Sequence, residues 1–191
     1  MSRTGRRPGL SGTREDILVA ARRGFGARGY EATTFRSIAE DVGVDPGLLV
    51  HYFGTKEGLF VAALSITLRP PELFGDLGKV SASDAAELIV RRYLAMLDQD
   101  ETRDMVLGLV RSAVSNERAA GMLGEFVAQV MRSSLSELIN RSDAELRAAL
   151  VVAHLLGIAM LRHVVKEGTI VHATDDELVS LVAPVIASYL Q

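Results

Sequence analysis

Apolar residues recur every three or four positions along almost the whole chain, and strict alternation is nearly absent, so the pattern predicts an all-α protein. Thr13 is placed to open a first helix, with Ile17, Leu18, Ala21 and Phe25 on one face and an end at Gly29. The stretch from Phe35 to Phe53 then fits two short helices joined by a tight turn. Ile38, Val42, Val44, Leu49 and Tyr52 are the positions that must point inward if two helices meet steeply over one small core, and Ala39 is small where they would touch. Gly43 ends the first helix, because a left-handed backbone costs glycine nothing. Asp45 caps the second, and Pro46 follows at its first position with its dihedral already set. Four local rules agree on one geometry, a helix-turn-helix of the kind that enters a DNA groove.

Further along, Thr55 caps a helix carrying Leu59, Phe60, Ala63 and Leu64, which runs to Leu68 and stops at Pro70-Pro71. Residues 70–82, rich in Pro, Gly and Ser, read as a linker or loop. Helices are predicted near 84–98, 101–115, 117–140, 143–166 and 175–190. Ser142 with Glu145, and Thr174 with Glu177, have capping-box spacing at the last two starts. Pro184 removes one backbone bond from the final helix and is expected to kink or weaken its middle. The helix from Asp143 is apolar nearly all round and so must be covered on more than one side. The last helix is similarly rich. Packed on their twins, the two would form an isologous four-helix interface, with Val152, Leu155, Leu156 and Ala159 from one and Leu178, Leu181, Val182 and Val185 from the other. The expected organisation is a basic arm at 1–12, a helix-turn-helix domain at 13–60, and a bundle for ligand binding and dimerisation at 61–191.

Composition narrows the function. At 191 residues the chain can bury a real core, and 48% hydrophobic residues is high for a soluble monomer, which suggests a partner subunit. Without cysteine there are no disulfides, thiolate metal sites or thiol redox sensing. Arg3, Arg6 and Arg7 are followed by Pro8 and Gly9 rather than by an apolar run, so no signal peptide is predicted and the cytoplasm is the expected location. The apolar run from Ala148 to Leu161 lies between Arg147 and Arg162 and falls short of the ~20 residues a bilayer needs. Net charge is −3, which alone argues against an acidic partner. The way the charge is distributed argues the opposite. Residues 1–60 carry nine Lys/Arg against seven Asp/Glu, hence +2, and the remainder carries twelve against seventeen, hence −5. Arg3, Arg6, Arg7 and Arg14 form a basic arm suited to phosphates or the minor groove.

Sharper motifs fail on context. Residues 24–29 match the dinucleotide fingerprint G-x-G-x-x-G, but Ile17 to Arg23 has helical spacing where the fingerprint needs a strand. His51, His154, His163 and His172 lack metal-ligand spacing, so no metal or cofactor is expected. Ser112 and Ser115 have no arranged base and there is no G-x-S-x-G elbow, so no enzyme is expected. Tyr93, Met96, Met105, Met122 and Phe126, with Met131 and Met160, read either as core or as the lining of an adaptable apolar pocket. Arg111 and Asn116 are the polar groups first expected to orient a ligand there, while His154 reads as a core or interface group with ligand contact as its alternative.

Thr34, Ile38-Ala39, Gly43-Val44, His51-Tyr52-Phe53, Lys56 and Leu59 together resemble the TetR family of bacterial transcriptional regulators, in an actinobacterial-type branch. The resemblance is strongest over residues 13–60 and extends through the later helices. It implies a homodimer whose two helix-turn-helix heads enter successive major grooves of a palindromic operator. It also implies a small-molecule effector pocket in each carboxy-terminal bundle, whose occupation changes the separation of the heads. Carried over by motif position, Arg36, Gly47, Leu48 and His51 face base edges beside Pro46, and Thr34, Tyr52 and Lys56 hold phosphates. Val50 departs from the pattern: it cannot reach a phosphate, and an apolar contact with a thymine methyl is the substitute. The expected function is an effector-released repressor. The alternative is a helical sequestration or protein-interaction module that has lost operator binding.

Overall fold

Gly29 is where the first helix is broken and the amino-terminal unit meets the rest of the protein. The structure, a computed structural model, describes residues 10–68, 70–130, 138–139 and 141–191. In α1 (Leu10–Ala32) the helical path breaks at Gly29, with φ 77° and ψ 177°, and a last short turn carries on to Ala32. Glycine alone takes such a backbone without strain. The Thr33 hydroxyl secures the break by donating to the Gly29 carbonyl at 2.9 Å. Helices α2 (Phe35–Val42), α3 (Pro46–Phe53) and α4 (Lys56–Leu68) complete a small core in which Ile17, Phe25, Ile38, Leu49 and Phe60 are fully buried. Phe25 and Tyr30 each pack edge-on to Phe60, at 4.9 and 5.3 Å between ring centres. The boundary drawn between residues 60 and 61 falls inside α4, whose Ala63 and Leu64 continue the same buried cluster.

The segment read as a linker is ordered structure. It forms α5 (Pro70–Phe74) and a 3-10 turn at Leu77–Lys79, and it buries Leu73, Phe74 and Leu77. Proline at the start of a helix is permitted because its missing N–H is unneeded there. Then come α6 (Ala82–Leu97), α7 (Asp100–Ser115), α8 (Glu117–Val130) and α9 (Ala144–Ala159). The helix expected over 117–140 is described only to Val130, and residues 131–137, with Met131, lie outside the described residues. A π-helical segment Met160–Val165 prolongs α9, followed by α10 (Gly168–His172), which the apolar period did not signal, and α11 (Asp175–Leu190). Among the described residues there is no strand.

Two cap expectations diverge. Thr174 and Glu177 form the full capping box, with the Thr174 amide donating to Glu177 at 2.7 Å. Ser142 does not cap α9: Asp143 stands at that position without a side-chain cap bond and pairs instead with Arg147 at 2.8 Å. Helix α11 runs continuously through Pro184, which lies exposed. Counted with its π-helical extension, α9 is a 22-residue rod, Ala144–Val165, long and apolar enough to cross a bilayer where the run of 148–161 was too short. In this protein the rod packs on α6, α8 and α11.

The most extensive packing between elements is that of α1 on α7, with α6 on α11 next. The first is a backbone-to-backbone crossing. A methyl group added at Gly108 would stand 2.8 Å from the Phe25 carbonyl oxygen, and one at Gly26 would stand 3.2 Å from the Asp104 and Met105 backbone. Two glycines of the G-x-G-x-x-G run thus serve helix packing and a helix break.

Candidate nucleic-acid interface and effector cavity

Helices α2 and α3 are fixed by their caps. The Thr34 side chain accepts from the Ser37 amide and the Ser37 hydroxyl accepts from the Thr34 amide, each at 3.1 Å. At the other end Gly43 is left-handed, φ 75°, and its amide donates to the Ala39 carbonyl at 2.8 Å. The Asp45 carboxylate accepts from the Gly47 amide at 2.8 Å, and Pro46 opens α3. Each such cap is worth roughly 1 kcal/mol. Leu49 anchors α3 in the core, so the opposite face, Pro46, Gly47, Val50 and His51, stands in solvent. Leu48, expected to face outward, is half-buried against the core. Val50 is 52% exposed.

The remaining DNA-facing candidates surround this helix. Arg36 is exposed and pairs with Glu40 at 3.0 Å, a contact one turn away that solvent makes weak. Arg14 sits over the Phe53 ring at 5.3 Å, which ties the start of α1 to the end of α3. Tyr52 is half-buried between His51 and Phe53. Lys56 lies 4.3 Å over the Tyr30 ring and donates to the Glu31 carbonyl at 3.1 Å, so part of its role is to hold α4 to the end of α1. Burial lowers its pKa, and Glu31 and Glu57 oppose the shift. Burial, reinforced by a hydrogen bond to Glu57, pushes the Tyr30 phenol up to about 12. Arg3, Arg6 and Arg7 lie outside the described residues.

A second feature lies deeper. Residues of α5 to α9 surround a cavity of about 70 Å³, partly open to solvent. Leu73, Tyr93, Leu109, Phe126, Leu155 and Leu156 are among its walls. The Tyr93 hydroxyl is buried without a hydrogen-bond partner, and burial drives its pKa well above the ordinary tyrosine range.

Two family models cover this architecture. Residues 17–63 match that of the bacterial regulatory proteins of the tetR family, and residues 84–190 match the tetracyclin repressor-like carboxy-terminal domain. The chain belongs to the TetR family. TetR-family regulators are DNA-binding proteins and not enzymes, which agrees with the absence of a catalytic arrangement in the sequence. Over 53 residues the chain is 47% identical to the transcriptional repressor AcnR of Corynebacterium diphtheriae, a match covering 28% of each chain. It is 39% identical over 116 residues to the repressor KstR2 of Rhodococcus jostii, covering 58% of this chain and 56% of that one. These curated matches therefore span about a quarter to a half of the relatives' length. A TetR-family regulator of Streptomyces coelicolor superposes along nearly its whole length, with TM-score 0.75 and 31% identity over 98% of this chain and 99% of that one.

Within this TetR-family chain the candidate ligand residues separate. Tyr93 and Phe126 line the cavity, whereas Met105 and Met122 are buried in the core and Met96 faces a different, polar hollow with Arg92 and Gln99. Arg111 and Asn116 do not orient a cavity ligand. Arg111 donates to the Gly26 carbonyl at 3.2 Å and Asn116 bonds Glu31, so both fasten α7 to α1. His154 faces away too, bonding the Leu150 carbonyl at 2.9 Å beside Tyr189. The residues expected at a dimer seam divide by exposure. Leu155, Ala159 and Leu178 are buried within the protomer, Val182 is half-buried against the same core, and Val152 and Leu156 line the cavity. Leu181 and Val185 are exposed, and so are Leu146, Leu150, Ala153, Gly157 and Leu161 on α9, at spacings of three and four. Missed altogether were Leu73 and Phe74, hidden by the Pro-rich composition around them; Ser112, weighed only as a nucleophile, accepts from the Tyr30 amide at 3.0 Å.

Proposed function

We propose that this protein is a homodimeric, effector-released transcriptional repressor acting in the cytoplasm, which places α3 of each protomer in successive major grooves of an inverted-repeat operator. The observation that carries the reading is the exposed face of α3, held at both ends by caps and anchored by Leu49, in the segment that matches the family's DNA-binding model. His51 and Arg36 would supply hydrogen bonds to base edges and Val50 an apolar contact with a thymine methyl. Thr34, Tyr52 and Lys56 would contact phosphates, and Arg14 would extend that contact along the backbone. With so few hydrogen-bonding groups per head, specificity would come from two half-sites acting together.

The proposed dimer surface is the apolar stripe of Leu146, Leu150, Ala153 and Leu161 on α9, joined by Leu181 and Val185 on the neighbouring α11. A second copy covering it would account for the high apolar content of the rod. Coupling between cavity and head would run through α7. Val106, Leu109 and Val110 face the cavity, while Gly108, Arg111 and Ser112 grip α1 on the other side. Arg118 on α8 adds a 3.4 Å pair to Glu57 on α4. A ligand that moves α7 would therefore bias the head's orientation, as a population shift.

The test is titration against the inverted repeats flanking the protein's own gene at several salt concentrations. A repressor of this kind selects one palindrome and loses affinity steeply with salt. Equal binding to random duplexes would favour the sequestration module instead.

A further inference from the structure

The cavity has one polar feature. Among the described residues that line it, every side chain is hydrocarbon except Tyr93, and none is charged. Tyr93 is 6% exposed and its hydroxyl has no partner. Buried hydroxyls in native proteins are nearly always paired, and an orphan signals a missing partner. Water fits poorly in that role, because an ordered water requires two to four polar neighbours and this wall offers one. An anion fits worse, since a carboxylate would be stripped of solvent with no Lys, Arg or His beside it among those residues. The contrast with the neighbouring hollow is direct: Arg22, Arg92 and Glu72 line that one.

We propose that the effector is a neutral, largely hydrocarbon molecule with a single hydrogen-bond acceptor, bound so that the Tyr93 hydroxyl donates to it. This rests on the effector reading above and names the chemistry that reading leaves open. The phenol is suited to donation, because burial favours its protonated form. Half-buried Val110, Val152 and Leu156 mark the side from which a ligand would enter.

A matched trio of probes tests it by calorimetry on the full chain: butyrophenone, which has an acceptor; butylbenzene, which has none; and the anion phenylbutyrate. Butyrophenone is expected to bind about tenfold more tightly than butylbenzene, the ~1.4 kcal/mol of one hydrogen bond to an otherwise unpaired group. In Tyr93→Phe that preference should vanish while butylbenzene binds as before, and phenylbutyrate should be the weakest ligand of both proteins. A preference that survives in Tyr93→Phe, tightest binding by the anion, or no binding by any probe overturns the proposal. Ligand-free Tyr93→Phe should melt at the same temperature or higher, since it deletes an unpaired hydroxyl; a clear drop means the hydroxyl has a protein partner and sinks the idea. A parallel arm measures operator release by butyrophenone. Binding without release leaves the ligand class standing and removes the effector reading, which keeps the two failures apart.

Discussion

The α1–α7 crossing can be tested with a single carbon. In Gly108→Ala two effects oppose each other. Alanine is favoured over glycine in a helix interior by about 1 kcal/mol. Against that, the new methyl would sit 2.8 Å from the Phe25 carbonyl oxygen and 3.1 Å from Gly26, and an ordinary contact begins near 3.4 Å. The helices must part by about 0.6 Å, and the obstructing atoms are backbone, which cannot rotate away. Overpacking of this kind costs about 1–3 kcal/mol, so the clash should win or at best tie. The control is Gly121→Ala in α8, where an added methyl meets nothing within 4 Å and only the propensity gain remains. Propensity cancels in the comparison, leaving a gap of about 1–3 kcal/mol between the variants. For a chain of this size that is roughly 2–4 °C in melting temperature per kcal/mol. Thermal unfolding followed by circular dichroism measures it, and operator affinity measured alongside should fall for Gly108→Ala alone. Equal melting temperatures would show that the crossing is looser than the geometry states, and the coupling route through α7 would go with it.

Other substitutions separate the remaining roles. Leu181→Asp combined with Leu150→Asp is expected to yield monomers by sedimentation, since both side chains are exposed in the protomer; an intact dimer places the interface elsewhere. Arg36→Ala should lose about 1–3 kcal/mol on the cognate duplex and little on random DNA, with equal loss on both overturning its base-reading role. Lys56→Ala should weaken all duplexes alike and flatten the salt slope by about one unit, while a purely structural lysine would leave the slope unchanged. The Glu177 carboxylate is held below the ordinary value of 4.5 by the Thr174 amide and hydroxyl, so its capping contribution is present above 4.5 and is lost as pH falls through the lower folded value. The melting difference between wild type and Glu177→Ala should therefore shrink on acidification below that point, and a constant difference would refute the cap.

The reach of sequence reasoning here follows from the range of the interactions involved. Caps act over three or four residues, so Gly43, Asp45 and Thr174 were legible, and with them the recognition unit. Glu40 facing Arg36 follows from helical spacing and was readable in the same way. The orientation of α9 was not readable. A helix apolar on all sides carries no moment to say which face meets the protomer's core, which a cavity and which another subunit, so the burial of Leu155 within the protomer and the place of Leu156 on the cavity wall were not legible. Composition misled at residues 70–82, where Pro and Gly obscured Leu73 and Phe74 as cavity walls. Arg111 and Asn116 failed for a third reason: their partners Gly26 and Glu31 lie 85 residues away in sequence, beyond any local pattern.

Those distant contacts bear on mechanism because they converge on one short stretch of α1. Gly26 receives α7's backbone and Arg111, Tyr30 receives Ser112 and Lys56, and Glu31 receives Asn116 and Lys56. The Gly29 break lies in the middle of them, and it is the break that turns the Tyr30 amide away from the helix and toward Ser112. A head attached by a straight, continuous α1 would offer α7 no such amide. Movement of α7 against α1 must therefore either carry Tyr30 along, and with it the Lys56 end of α4, or break a set of bonds that lie within two helical turns of each other. The first alternative moves the head as a body; the second releases it. Hydrogen exchange at the Tyr30 amide distinguishes them, because protection retained while the operator is released means rigid transmission, and protection lost means unlatching.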